Sequence, residues 1–306
     1  MLPQAKIQNL KSKILDYGRL IRFSHTIFAL PFALSSIALA WPTRPVTLTK
    51  LLWVLVAMVS ARSAAMGFNR LADRKFDALN PRTRGWELPQ GKVTVGEAIR
   101  LTTAASLLFI FAAYQLNFIY FVLSPLALAI VFFYSLTKRF TWTSHLFLGL
   151  ALSLAPMGAW LAVSDSPLDF RELILPFFLG VAVLFWLVGF DVIYALQDHE
   201  FDRQQRLSSI PVRFGVAGAL RLSSLFHLAT VFFLALVGLS AHMGIIYWIG
   251  FLIISAILFW EHRIVRPEDL SRINRAFFDF NAYVSIGYFL TTTADVILTS
   301  ALGNVG

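Results

Sequence analysis

Asn69, Asp73 and Asp77, in the stretch NRLADRKFD, stand four residues apart at the end of a long apolar run. On a helix, residues four apart lie one above another, so an amide and two carboxylates share one face. A second stretch, YALQDHEFD, repeats the pitch with Tyr194, Asp198 and Asp202. A single acidic pair at a helix end is commonly solvated and gains little from a neighbouring Lys or Arg. Two motifs of one pitch, each closing an apolar run, point instead to a shared ligand. Four carboxylates in a chain with no cysteine make a hard, all-oxygen donor set. Such a set suits Mg2+, which keeps several waters and reaches its substrate through phosphate oxygens. Arg70, Arg74, Lys75, Lys138, Arg139 and Arg203 fall on the same side of the apolar runs and would offset the charge of a polyphosphate. The ligand this chemistry describes is a diphosphate whose other end is lipid, a polyprenyl diphosphate.

The elements that position these residues are read from the apolar pattern. Of 306 residues 58% are apolar and only 14% charged, against roughly a quarter charged in soluble domains. Apolar stretches near 23–41, 50–68, 98–116, 118–135, 143–163, 172–194, 218–240, 243–260 and 277–301 are each long enough to cross a hydrocarbon core of ~30 Å. The fold expected is all-α and polytopic, about nine transmembrane helices around a central cavity, with residues 1–306 as one domain. No cleavable signal peptide is expected. Lys6, Lys11 and Lys13, with Ile7, Leu10 and Ile14 at helical spacing, suit an interfacial amphipathic segment over 1–19. The net charge of +9 does not form a nucleic-acid patch but follows topology: 22 Lys and Arg fall on the amino-terminal side of the membrane and 3 on the other, with Arg62 inside the second span. The amino terminus is therefore expected in the cytoplasm and the carboxyl terminus outside, in the cell membrane. Both long polar loops, 69–97 and 195–217, then face the cytoplasm, and each reads as helix, acidic cap and turn-rich loop. These two related halves would bring their acidic faces to one cavity. Thr94 and Glu97 form a capping box at the start of the third span.

The stretches RFSHTIFALPFAL, NRLADRKFDALNPRTRGWELPQGKVT, YSLTKRFTW and DVIYALQDHEFDRQQRLSSIPVRFG together make the chain resemble the UbiA superfamily of intramembrane prenyltransferases. Within it the resemblance is greatest to 4-hydroxybenzoate polyprenyltransferases and to relatives that act on dihydroxynaphthoate in menaquinone synthesis. The resemblance implies a cavity open laterally to lipid and Mg2+ held by Asp73, Asp77, Asp198 and Asp202, supported by Asn69. It implies diphosphate contacts from Lys138, Arg139 and Tyr134, and Arg74 and Tyr194 join them by position. Asp191 matches the aspartate that opens the second motif, as an acid–base or orienting group or as an ion-pair partner of Arg62. Arg22 and Arg62 match basic positions near the pocket and would hold the acceptor or the diphosphate. Ser208 stands where the family often has Lys, so basic help from that position is missing or comes from Arg206 or Arg213. The partners implied are a polyprenyl diphosphate, an aromatic acid and membrane lipid, without an obligate protein partner. His25 reads as a satisfied interhelical histidine, with substrate contact as the alternative, and Asp279 and Asp295 read as interhelical hydrogen-bonding groups or interface residues. A CDP-alcohol phosphotransferase would need a D-G-x2-A-R element that the chain lacks. A cation-coupled transporter would want its carboxylates near mid-membrane rather than clustered at one end.

Overall fold

In lipid every backbone polar group must be satisfied within the chain, so apolar runs of this length become helices. The computed structural model describes residues 13–22, 26–164 and 169–303, and these are all-helical apart from loops and one isolated bridge. The helices are α1 (Thr26–Ala40), α2 (Leu48–Leu79), α3 (Val95–Leu116), α4 (Phe118–Thr137), α5 (Ser144–Val163), α6 (Ile174–Ala195), α7 (Ile210–Ser240), α8 (Ile245–Ile264) and α9 (Asn281–Gly303). Among the described residues eight spans are long and apolar enough to cross a membrane, and α1 lies in a shorter apolar one. The chain is an integral membrane protein.

Neighbours in sequence pack against each other from α2 through α9, α9 returns onto α1, and α1 packs against α5. α6 is the central helix: Trp186 is fully buried, with Phe32 of α1 at 4.9 Å between ring centres, and Phe32 stacks in turn on Tyr288 of α9 at 5.3 Å. Asp295 of α9 accepts the N–H groups of Gly244, Ile246 and Tyr247 and so satisfies the first turn of α8. That is the interhelical role expected for it, whereas Asp279, expected to act alike, is exposed and pairs with Arg275 of its own helical stretch at 3.8 Å.

Three boundaries differ from the apolar pattern. α2 continues to Leu79, eleven residues past the apolar run, because NRLADRKFDAL still favours helix and its polar face has partners inside the protein. The loop therefore starts at Asn80, and the first acidic motif is helical throughout. α7 begins at Ile210 and is interrupted at Gly215, whose φ of +69° an L side chain would strain. At the second motif α6 ends at Ala195. A 3-10 turn (Leu196–Asp198) and a short helix (His199–Gln204) follow, so the two motifs share a spacing but not one continuous helical form.

Of the amino-terminal segment, residues 13–20 are helical with Ile14 and Leu15 each 60% exposed. Lys13 donates to Glu97 at 2.9 Å, and the Thr94–Glu97 capping box is present. Residues 1–12 and His25 lie outside the described residues.

Candidate active site

The ends of α2, α4 and α6 and the start of α5 meet at one end of the bundle, and a cavity of about 790 Å3 runs from there between α2, α4, α5 and α6. Its polar end is lined by Asn69, Asp73, Asp77, Tyr134, Lys138, Arg139, Asp191, Tyr194, Asp198 and Asp202, together with Arg22, Arg70 and Arg82. Its far end is apolar: Leu123, Leu161, Pro176 and Phe177 line it, and Phe177 is 51% exposed on the lipid side. A charged end joined to a greasy tube is the shape a polar-headed lipid requires.

Each of the four motif carboxylates faces a cation. Asn69 donates to Asp73 at 3.1 Å and to Ser135 at 3.3 Å, and Arg139 donates to the other Asp73 oxygen at 3.2 Å. Arg70 donates to Asp77 at 3.3 Å, one helix face down. Arg82 grips Asp198 with two nitrogens, Nε at 2.9 Å to Oδ1 and Nη2 to Oδ2, while Nη1 donates to the Tyr194 hydroxyl at 3.0 Å. Asn80 adds a further donor to Asp198 at 2.9 Å. Burial works against the Arg82 charge, but the hydrogen bonds to Asp198 outweigh it and hold the guanidinium above its ordinary value. Lys138 Nζ lies 2.7 Å from Asp202, and the Ser208 N–H ties to the Lys138 carbonyl at 2.7 Å, joining the two loops.

Trp86 gathers three arginines: Arg70 at 3.9 Å, Arg22 at 4.4 Å and Arg82 at 5.5 Å from its ring centre. Arg22 is a non-glycine residue with positive φ, +49°, a strained backbone of the kind that collects at binding sites. Arg62 lies deeper on α2, lines the cavity, and has a buried Nε without a hydrogen-bond partner.

Other expected residues fall elsewhere. Asp191 pairs with His145 Nδ1 at 2.6 Å, not with Arg62, because His145 enters from the first turn of α5 directly opposite. Arg74 is exposed, donates to the Leu71 carbonyl of its own helix and does not line the cavity. Arg206 and Arg213 are likewise exposed and off the cavity, so neither takes the place of a lysine at Ser208. Arg82, Asn80, Trp86 and His145 were not picked out from sequence. The only signal for the first three was their place in the turn-rich segment just after the first motif.

The residues fit a hard divalent cation by donor chemistry. Among the described residues no three Asp, Glu or His groups already converge as a metal cluster. Both oxygens of Asp202 are nevertheless buried, and their one partner is the Lys138 ammonium at 2.7 Å. A buried carboxylate is costly unless a cation faces it, and Lys138 holds the place beside Asp202 that a divalent ion could take. The chain's own lysine and arginines stand against carboxylates that a metal could take over once those cations turn to a diphosphate.

The family model described as the UbiA prenyltransferase family matches residues 29–285. The 4-hydroxybenzoate octaprenyltransferase of Cronobacter sakazakii is 32% identical over 285 residues, 92% of this chain and 95% of that protein. The enzyme of the same name from Salmonella newport is 30% identical with the same coverage. The apo structure of a UbiA homolog from Aeropyrum pernix K1 superposes with a TM-score of 0.80 at 32% identity, covering 90% of this chain and 98% of that one. A UbiA homolog from Archaeoglobus fulgidus bound to GPP and Mg2+ shares the fold, with a TM-score of 0.67 at 22% identity over 91% of this chain and 99% of that one. A membrane-embedded bundle, a cavity with acidic and basic groups at one end, and these likenesses along nearly its whole length lead to one conclusion: the chain belongs to the UbiA prenyltransferase family and is a prenyltransferase.

Proposed function

We propose that this protein transfers a polyprenyl group from a polyprenyl diphosphate to the ring carbon next to the hydroxyl of 4-hydroxybenzoate or a similar aromatic acid, as a step of quinone synthesis. The observation that carries the reading is the cavity itself, with four carboxylates and their cations at one end and an apolar tube leading away from it. The names and identities of the Cronobacter and Salmonella relatives support the acceptor class. The distribution of 22 Lys and Arg on one side supports a cytoplasmic amino terminus and a site that opens to the cytoplasm in the cell membrane.

Mg2+, as in the Archaeoglobus homolog, would bind among Asp73, Asp77, Asp198 and Asp202 with Asn69 beside them, and would supply charge neutralisation for the departing diphosphate. Lys138 and Arg139 leave Asp202 and Asp73 to bind the diphosphate oxygens. Arg82 and Asn80 hold Asp198 in place, and Tyr134 and Tyr194 border the same space. Breaking the allylic C–O bond leaves its electron pair on the diphosphate. The cation that remains lies among rings, including Phe190 and Phe277 at 5.4 Å from each other, whose negative faces favour positive charge. The acceptor's ring carbon then forms the new C–C bond, and its proton leaves to the Asp191 carboxylate. The low-polarity tube excludes water that would otherwise capture the cation.

Purified protein incubated with Mg2+, geranyl diphosphate and a panel of hydroxylated aromatic acids, with products read by mass spectrometry, tests the reading. A geranylated 4-hydroxybenzoate supports it. A prenylated dihydroxynaphthoate without the hydroxybenzoate product would move the acceptor to that class, and no prenylated product would overturn the reading.

A further inference from the structure

Resting on the function proposed above, we propose that His145 is a positioning residue for Asp191, holding its carboxylate in place to take the ring proton after the new bond has formed. His145 is the second residue of α5, is 5% exposed and lines the cavity opposite α6. Its Nδ1 lies 2.6 Å from Asp191 Oδ2, and this pairing assigns the tautomer with the proton on Nδ1. Its Nε2 is buried with no partner, so the ring has one hydrogen bond and that bond goes to Asp191. The Asp191 side chain is one-fifth exposed, toward the cavity it lines. The imidazole therefore fixes one carboxylate oxygen and leaves the other to the acceptor.

The geometry answers a competition. Lys138, Arg139, Arg62 and Arg82 all line the same cavity, and an untethered Asp191 would be drawn to one of them and away from the acceptor ring. The imidazole on α5 holds it without drawing on the Lys and Arg groups that the diphosphate needs. In the step served, the C–C bond is complete, the ring C–H bond breaks, its electron pair restores aromaticity, and the proton passes to Asp191. Holding the base within reach of that hydrogen is a matter of placement to fractions of an ångström. A plain structural tie between α5 and α6 would show the same contact but would have no hold on one chemical step.

The two are separated by a kinetic isotope effect. Geranyl diphosphate, Mg2+ and 4-hydroxybenzoate deuterated at both ring positions next to the hydroxyl are turned over by wild type, His145→Leu and His145→Gln. Gln keeps a side-chain N–H that can reach Asp191, and Leu keeps bulk without a donor. Ring-proton loss in wild type is expected to be fast, with an isotope effect near unity. In His145→Leu, kcat should fall by about tenfold or more, the KM for geranyl diphosphate should hold, and a normal primary isotope effect should appear. His145→Gln should restore kcat and abolish the isotope effect. Wild-type rates in His145→Leu, a loss of kcat without an isotope effect, or an equal loss in both variants would overturn the inference while leaving the function intact. No product from the wild-type protein would overturn the function and the inference together.

Discussion

Arg62 and Arg22 are both cations at the cavity, but their surroundings differ. Arg22 is already stacked on Trp86 beside two other arginines, whereas Arg62 is deeper and its Nε is unpaired. An aromatic acid brings a carboxylate whose unpaired burial would cost several kcal/mol, and Arg62 is the better placed to meet it. Arg62→Leu should lower kcat/KM with 4-hydroxybenzoate by about tenfold to a hundredfold, the worth of one charged hydrogen bond of ~1.5–3 kcal/mol. A neutral hydroxyarene should lose far less, and equal losses would return the role to Arg22. Lys138→Ala should raise the KM for the prenyl diphosphate and spare that for the acceptor, as steady-state kinetics with each substrate varied would show. At this scale the sequence displayed the four aspartates, because their pitch is local. It concealed Arg82, Trp86 and His145, because their partners are 116, 16 and 46 residues away and only the folded loops bring them together.

α2 carries the first motif on a continuous helix to Leu79, whereas the second motif straddles a 3-10 turn before α7 begins. Apolar patterning showed where lipid-crossing segments lie but not where helices stop, since a helix extends beyond the membrane whenever its polar face has protein partners. Gly215 is the hinge at the start of α7, just after the second motif's loop. Gly215→Ala forces an L side chain into an extended positive-φ conformation (φ 69°, ψ 176°) open essentially to glycine alone, at a cost of about 1–3 kcal/mol. The midpoint of thermal unfolding in detergent should fall. An unchanged midpoint would mean that the interruption relaxes into plain helix. The capping box at α3 was legible because Thr94 and Glu97 satisfy each other within four residues. Thr94→Ala should cost about 1 kcal/mol and leave turnover alone, since the box faces the amino-terminal segment and not the cavity.

Across the whole molecule, the two acidic motifs reach one cavity from the end of α2 and from the turn and short helix that follow α6, and α5 packs against both α2 and α6 beside the central Trp186 core. The proposed function requires one arrangement above all: both motifs serve one divalent cation and, through it, one diphosphate. Its most direct test is the binding of a non-ionising thio-analogue of geranyl diphosphate, measured by isothermal titration calorimetry with Mg2+ and after chelation. Wild type, Asp73→Asn and Asp202→Asn would be compared, with folding checked by thermal unfolding. Mg2+ should tighten binding in wild type, and either single substitution should abolish that Mg2+-dependent gain to the same degree. Binding in wild type that is indifferent to Mg2+, or a gain that survives substitution in one motif and vanishes in the other, would contradict a single shared site.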